Sequence, residues 1–257
     1  MRKFPRLLVA SFAILSFVAA ACGSDDSGET ATGVGDVTVF AAASLTAAFT
    51  EVGDAFTAEY PGAKVTFNFA ASSELVAQIG QGAPADVFAS ADKSNMTKLT
   101  DAGNNANEPE IFATNRLAII VGPGNPQGVT GVADLANENL IVVICAPEVP
   151  CGKYAAQVFE SAGVTVAPKS LEENVKAVVS KVILGEADAG IVYKTDVDAA
   201  GDKAAGVEIP NDINVLAEYP IAVTKDAANA EGAQAFIDFV QSEQGQGILA
   251  SYGFLAS

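Results

Sequence analysis

Val37-Thr38-Val39-Phe40-Ala41-Ala42-Ala43-Ser44-Leu45-Thr46 begins as a short apolar run and passes through three alanines and a serine into helical spacing. Leu45, Ala48, Phe49, Val52 and Phe56 continue that spacing, and Ser44 stands where an N-cap belongs. A strand that turns directly into a helix is the repeating unit of an α/β protein. Tyr60-Pro61-Gly62 breaks the helix. Val65, Phe67 and Phe69 then alternate as in a half-buried strand. That strand ends in Ala70-Ala71-Ser72-Ser73, and Leu75, Val76 and Ile79 start a second helix, stopped at Gly80. After Gly82-Ala83-Pro84-Ala85, residues 86–90 read as a third strand.

The pattern continues outward. Residues 117–121 form a continuous apolar strand closed by Gly122-Pro123-Gly124-Asn125-Pro126, and 140–144 form another. The second leads through Pro147 and Pro150 to Cys151-Gly152, then to a helix marked by Tyr154, Val158 and Phe159 and ended by Gly163. Leu171, Val175, Val178, Val179, Val182 and Ile183 give the clearest amphipathic helix. Ile191-Val192-Tyr193 is a short strand, 221–224 beyond Pro220 another, and Phe236, Ile237, Phe239 and Val240 lie on a final helix. Continuous apolar strands alternating with helices predict an α/β fold of mostly parallel sheets flanked by helices.

The first residues read as an address. Arg2, Lys3 and Arg6 precede an apolar run over 7–21 that is shorter than the roughly 20 residues a bilayer span takes, as in a secretion signal. The ending Val18-Ala19-Ala20-Ala21-Cys22 resembles a lipobox, with Ala19 where leucine is usual. The expectation is a signal peptide over 1–21, a lipid on Cys22 and a flexible tether over 22–35; a plain signal peptide is the alternative. Without residues 1–21, 11 basic residues face 31 acidic ones, a net charge of −20. Such a chain lacks the basic face that nucleic acid requires. It has no histidine and only three cysteines, so the usual metal and histidine-based catalytic sets are missing.

Hydroxyls and backbone amides remain. Ala43-Ser44, Ala71-Ser72 and Pro150-Cys151-Gly152 all place small or hydroxyl residues between a strand and a helix. Helix N-termini expose unpaired N–H groups and a partial positive charge, and ligands of open α/β sheets sit off the C-terminal strand ends. Several such turns would hold a dianion with neutral donors alone, which suits an acidic protein. Ser44 and Ser72 acting only as helix caps is the plainer alternative. Asp86, Glu172 and Glu173 read as dipole partners or solvated charges, not as acid–base or metal groups. Cys145 and Cys151 flank a proline-containing turn; an oxidising compartment favours a bridge between them, with two reduced thiols the alternative.

Phe40-Ala41-Ala42-Ala43-Ser44-Leu45-Thr46 and Gly82-Ala83-Pro84-Ala85-Asp86-Val87-Phe88 resemble the periplasmic molybdate-binding protein family. Gly190-Ile191-Val192-Tyr193, Glu218-Tyr219-Pro220-Ile221-Ala222-Val223 and Tyr252-Gly253-Phe254 extend the resemblance over 37–254. It implies a two-lobed type II binding-protein fold, with lobe I at 36–114 and 219–257 and lobe II at 115–218. It implies molybdate or tungstate as ligand, without cofactor or direct protein–metal bond. Ser44 and Ser72 would supply hydroxyl and amide donors, Cys151 and Val175 backbone amides, and Tyr193 its phenol. Cys151 stands where alanine is frequent, which an amide donor tolerates. The Val175 role needs the helix to begin near Glu173 or Asn174, whereas Ser170-Leu171-Glu172-Glu173 reads as a capping box that would start it at Leu171. The implied partners are the permease and ATPase of an ABC importer, with the chain itself a monomer held at the outer membrane face by its lipid. Sulfate or phosphate is the alternative ligand; no enzyme activity is expected, since no nucleophile–base pair is present.

Overall fold

A computed structural model describes residues 33–256. The expected signal peptide and Cys22 lie outside the described residues. Strand β1 (Val37–Ala42) pairs in parallel with β2 (Val65–Ala70) and β3 (Val87–Ala89). In a second half, β5 (Val142–Cys145) pairs in parallel with β6 (Ser170–Glu172) and β7 (Ala189–Tyr193).

Two long strands join the halves. Strand β4 (Glu110–Val121) runs antiparallel to β9 (Leu216–Val223) through Arg116 and then antiparallel to β7 and β8 (Ala205–Glu208) from Leu117. The path is β2-β1-β3-β9-β4-β7-β5-β6, with β8 also on β4. Each half thus has a three-stranded parallel core closed by antiparallel crossing strands. The sequence reading started β4 at residue 117 and β9 beyond Pro220, and both begin earlier. Pro220 lacks an N–H to donate, yet it lies within β9 opposite Ile111, where the pairing register slips between Ile111 and Ala113.

Helices cover both faces. α1 (Thr46–Glu59), α7 (Ala230–Gln241) and α8 (Glu243–Ser251) belong to the first half, with α2 (Ser72–Gly80) and α3 (Lys93–Asp101). Phe49, Phe56, Phe112 and Phe236 are almost completely buried there and touch edge to face or tilted, with ring centroids 5.4 to 6.0 Å apart. Each such ring contributes about 1.5–3 kcal/mol by leaving water. The second half carries α4 (Pro150–Ala162), α5 (Val175–Ile183) and α6 (Lys194–Ala200). Val175, Val178, Val179 and Val182 form the buried stripe of α5. Gly190 lets that stripe approach β7: a Cβ there would lie 2.5 Å from Val178 Cγ1 and 2.8 Å from the Val143 carbonyl oxygen.

Candidate functional site

The C-terminal ends of β1, β2, β5, β6 and β7 turn toward one small cavity lined by Ser44, Ser72, Cys151, Val175 and Tyr193, together with Ala91, Asn174 and neighbouring alanines. Its volume is about 10 Å³, room for about one water-sized body. No charged side chain is among its lining residues. All five residues singled out in the sequence therefore meet at one place.

The serines are not helix caps, which corrects the reading of Ser44 as an N-cap. Ser44 lies inside a 3-10 turn (Ala43–Leu45) that runs into α1, and the residue before that turn is Ala42. Ser72 is the first residue of α2, whose N-cap is Ala71, without a side-chain cap bond. Their hydroxyls have other partners. Ser72 Oγ accepts from the Ala91 backbone N–H at 3.0 Å, and Ser44 Oγ pairs with the Tyr219 hydroxyl at 3.0 Å. Ser72 Oγ, which accepts inside the fold, keeps its own proton for a ligand.

The amides follow from where the helices start. Residues 170–172 form β6, and α5 begins at Val175 with Asn174 as its N-cap, whose Oδ1 accepts from the Ala177 N–H at 3.1 Å. The helix thus starts where the Val175 role needs it, next to Asn174, and not at Leu171 as the capping-box pattern alone would have it. Ser170 instead donates to Glu172 Oε1, which also binds Lys181 at 2.7 Å, so its hydroxyl is engaged within β6 and caps no helix. Val175 and Cys151 both sit in first turns, where N–H groups have no intrahelical acceptor. Cys145 and Cys151 are joined by a disulfide across a Cα–Cα distance of 5.7 Å. Gly152 makes the tight fold of this loop possible, because a Cβ there would lie 2.1 Å from the Ala146 carbonyl oxygen.

Tyr193 is buried, and its hydroxyl is the buried side-chain polar atom without a hydrogen-bond partner among the described residues. Such an orphan is uncommon in a folded protein and points to a group that receives its bond from outside. Burial, reinforced by Tyr219, Tyr154, Asp92 and Asp196, pushes its pKa well up. It therefore stays a protonated donor. The sequence reading gave no role to Tyr219 or to Ala91. Tyr219 carries an audible signal, an amphipathic residue in the Glu218-Tyr219-Pro220 string, but its pairing with Ser44 spans 175 positions.

The arrangement offers hydroxyl and amide donors without a cation. A family model described as bacterial extracellular solute-binding protein matches residues 37–255. The chain belongs to this family. Molybdate-binding protein ModA of Mycobacterium tuberculosis is 41% identical to this solute-binding protein over 251 residues, 96% of this chain and 95% of the relative. Two solved structures share the fold. The periplasmic molybdate-binding protein of Azotobacter vinelandii has a TM-score of 0.74 at 22% identity, covering 86% of this chain and 99% of that one. The sulfate-binding protein SubI of Mycobacterium tuberculosis has a TM-score of 0.78 at 21% identity, covering 86% of each. The fold is thus that of the two-lobed periplasmic binding proteins, and this protein binds a solute outside the cytoplasm and is not an enzyme. Among the described residues, no helix is long and apolar enough to cross a membrane.

Proposed function

We propose that this solute-binding protein captures molybdate or tungstate between its lobes and delivers it to an ABC importer. The observation that carries this reading is the convergence of the Ser44, Ser72 and Tyr193 hydroxyls with the first turns of α4 and α5 on an uncharged cavity. Preorganised dipoles hold an anion without the long-range attraction that a protein of net charge −17 lacks. The relatives' names support molybdate as that anion.

The mechanism follows from the crossing strands. Lobe I, at 36–114 and 219–257, contributes Ser44 and Ser72; lobe II, at 115–218, contributes Cys151, Val175 and Tyr193. Bending where β4 and β9 pass between the halves separates the two donor sets, and an anion that bonds to both stabilises the closed form. The closed protein docks on the permease, and the ATPase drives release. Lipidation of Cys22 would tether the protein near that permease.

A ligand that binds only the folded state raises its melting temperature. Titration with molybdate, tungstate, sulfate and phosphate should give the largest shifts for the first two, and Ser44→Ala and Ser72→Ala should shrink them. A shift with sulfate and none with molybdate would transfer the reading to sulfate. No shift with any oxyanion would end it.

A further inference from the structure

We propose that Lys176 is a built-in counter-ion, a positioning residue that neutralises the buried Asp196 beside the cavity and so lets a dianion lie next to a carboxylate. This rests on the oxyanion reading above and names a residue which that reading does not use.

Asp196 follows Tyr193 by three positions, and its Oδ2 accepts from the Tyr193 N–H at 3.2 Å. Its Oδ1 accepts from Lys176 Nζ at 2.7 Å. Lys176 directly follows Val175, which lines the cavity as Tyr193 does. One ion pair thus ties the start of α5 to the start of α6, and both starts border the cavity. The field of Asp196 reaches this place. Burial is the first cause of the raised Tyr193 pKa, neighbouring tyrosines come next, and the carboxylates of Asp92 and Asp196 add to it. A carboxylate that hinders a phenolate at Tyr193 hinders any other anion there in the same way.

The two partners differ in their access to water. The Asp196 side chain is 0% exposed, while Lys176 keeps 34%. Unpaired, the ammonium can turn to water, whereas the carboxylate can only take up a proton. Among the described residues, no other cation is bonded to Asp196. Lys194 and Asp198 on α6 are exposed and pair with each other at 2.7 Å, and Lys181 on α5 pairs with Glu172. Arg116 on β4, Glu208 on β8, and Asp202 and Lys203 just beyond α6 make no bond to it. The phenols of Tyr193 and Tyr219 also lie within its field, and their raised pKa values keep them neutral. Asp92, the other buried carboxylate that acts on Tyr193, is answered in the same way by Lys153 of α4.

The test is the pH profile of molybdate affinity, measured by calorimetry on the whole protein from neutral to alkaline pH at fixed ionic strength. Wild-type affinity should be flat over this range, because Lys176 offsets the Asp196 charge throughout. In Lys176→Met, Asp196 is protonated at the low end and charged at the high end. Affinity should therefore fall as pH rises, by at least about tenfold across the range. Where it falls, up to about one proton should be taken up per anion bound. Buffers of different ionisation enthalpy read that proton directly.

Asp196→Asn keeps an oxygen to accept the Tyr193 N–H and should bind molybdate at least as tightly as wild type. The double variant Lys176→Met/Asp196→Asn removes both charges and should return a flat profile within about threefold of wild type. If Lys176→Met does not fold, these two variants carry the test. A flat profile in Lys176→Met would overturn the inference and leave the oxyanion reading standing. So would binding weakened by about tenfold in both Asp196→Asn and the double variant, the mark of a pair that is only scaffold. Failure of the wild-type protein to respond to molybdate, tungstate, sulfate or phosphate would instead overturn the oxyanion reading itself.

Discussion

Lys153, near the start of α4, extends its Nζ to within 3.2 Å of Asp92 Oδ2 at the N-cap of α3 and also donates to Ser94 Oγ. The two residues belong to opposite halves of the sheet, and both neighbour the cavity: Asp92 follows Ala91, and Lys153 follows Cys151-Gly152. Asp92 is almost completely buried, while Lys153 keeps 29% of its side chain exposed. The pair can exist only while the halves are together. Lys153→Met should therefore weaken molybdate binding about two- to tenfold, through faster dissociation. The loss should shrink at high salt, because the partly exposed pair is screened. Calorimetry at two salt concentrations checks both parts.

Tyr193→Phe should move stability and binding in opposite directions. Removing a buried hydroxyl without a partner relieves a desolvation cost of about 1–3 kcal/mol, so the unliganded protein should melt a few degrees higher. The same change deletes a bond to a charged ligand, and affinity should fall about tenfold or more. A thermal scan with and without molybdate reads both signs at once. A lower melting temperature without ligand would show that the hydroxyl has a partner inside the fold.

The Cys145–Cys151 bridge closes a short loop that carries one of the first-turn amides. Replacing both cysteines by alanine should cost about 2 kcal/mol by the chain-entropy relation for a loop of this length. It should also reduce molybdate affinity, because the Cys151 N–H must then be ordered by the ligand. Denaturant unfolding and titration of the double variant measure the two effects separately.

Two carboxylates respond to pH with opposite signs. Burial raises the pKa of Asp196, although Lys176 at 2.7 Å and the Tyr193 N–H oppose it. Its contribution to stability is present below the unfolded value and is lost as pH rises through the raised folded one. Burial also acts to raise Glu172, but the bonds to Lys181 and Ser170 outweigh it, and the pKa is lowered. Its contribution is present above the unfolded value and is lost as pH falls through the folded one. Asp196→Asn should flatten the decline of stability with rising pH, and Glu172→Gln should flatten the decline with falling pH. Urea unfolding across the acid range distinguishes them.

Much of this was legible in local pattern. The strand–serine–helix turns at Ser44 and Ser72 and the valine stripe of α5 are short-range features, set by side chains within a few positions of one another. The extent of β4 and β9 was not legible, because their pairing joins residues about a hundred positions apart and tolerates Pro220 by a slip in register. The capping box at Ser170 misled for a similar reason. Its serine is drawn to Glu172 and Lys181 and its strand is paired with β5, and both interactions outweigh a local helix start.

The sequence by itself determined an α/β protein, without histidine, whose strand-to-helix turns carry small and hydroxyl residues. What only the tertiary structure decided is which groups stand behind those donors. A hydroxyl can give or accept, and its role is set by the group on its other side: Ala91 N–H for Ser72 and Tyr219 for Ser44. Those neighbours are 19 and 175 positions away, beyond any local pattern, and meet the serines only when the sheet has assembled.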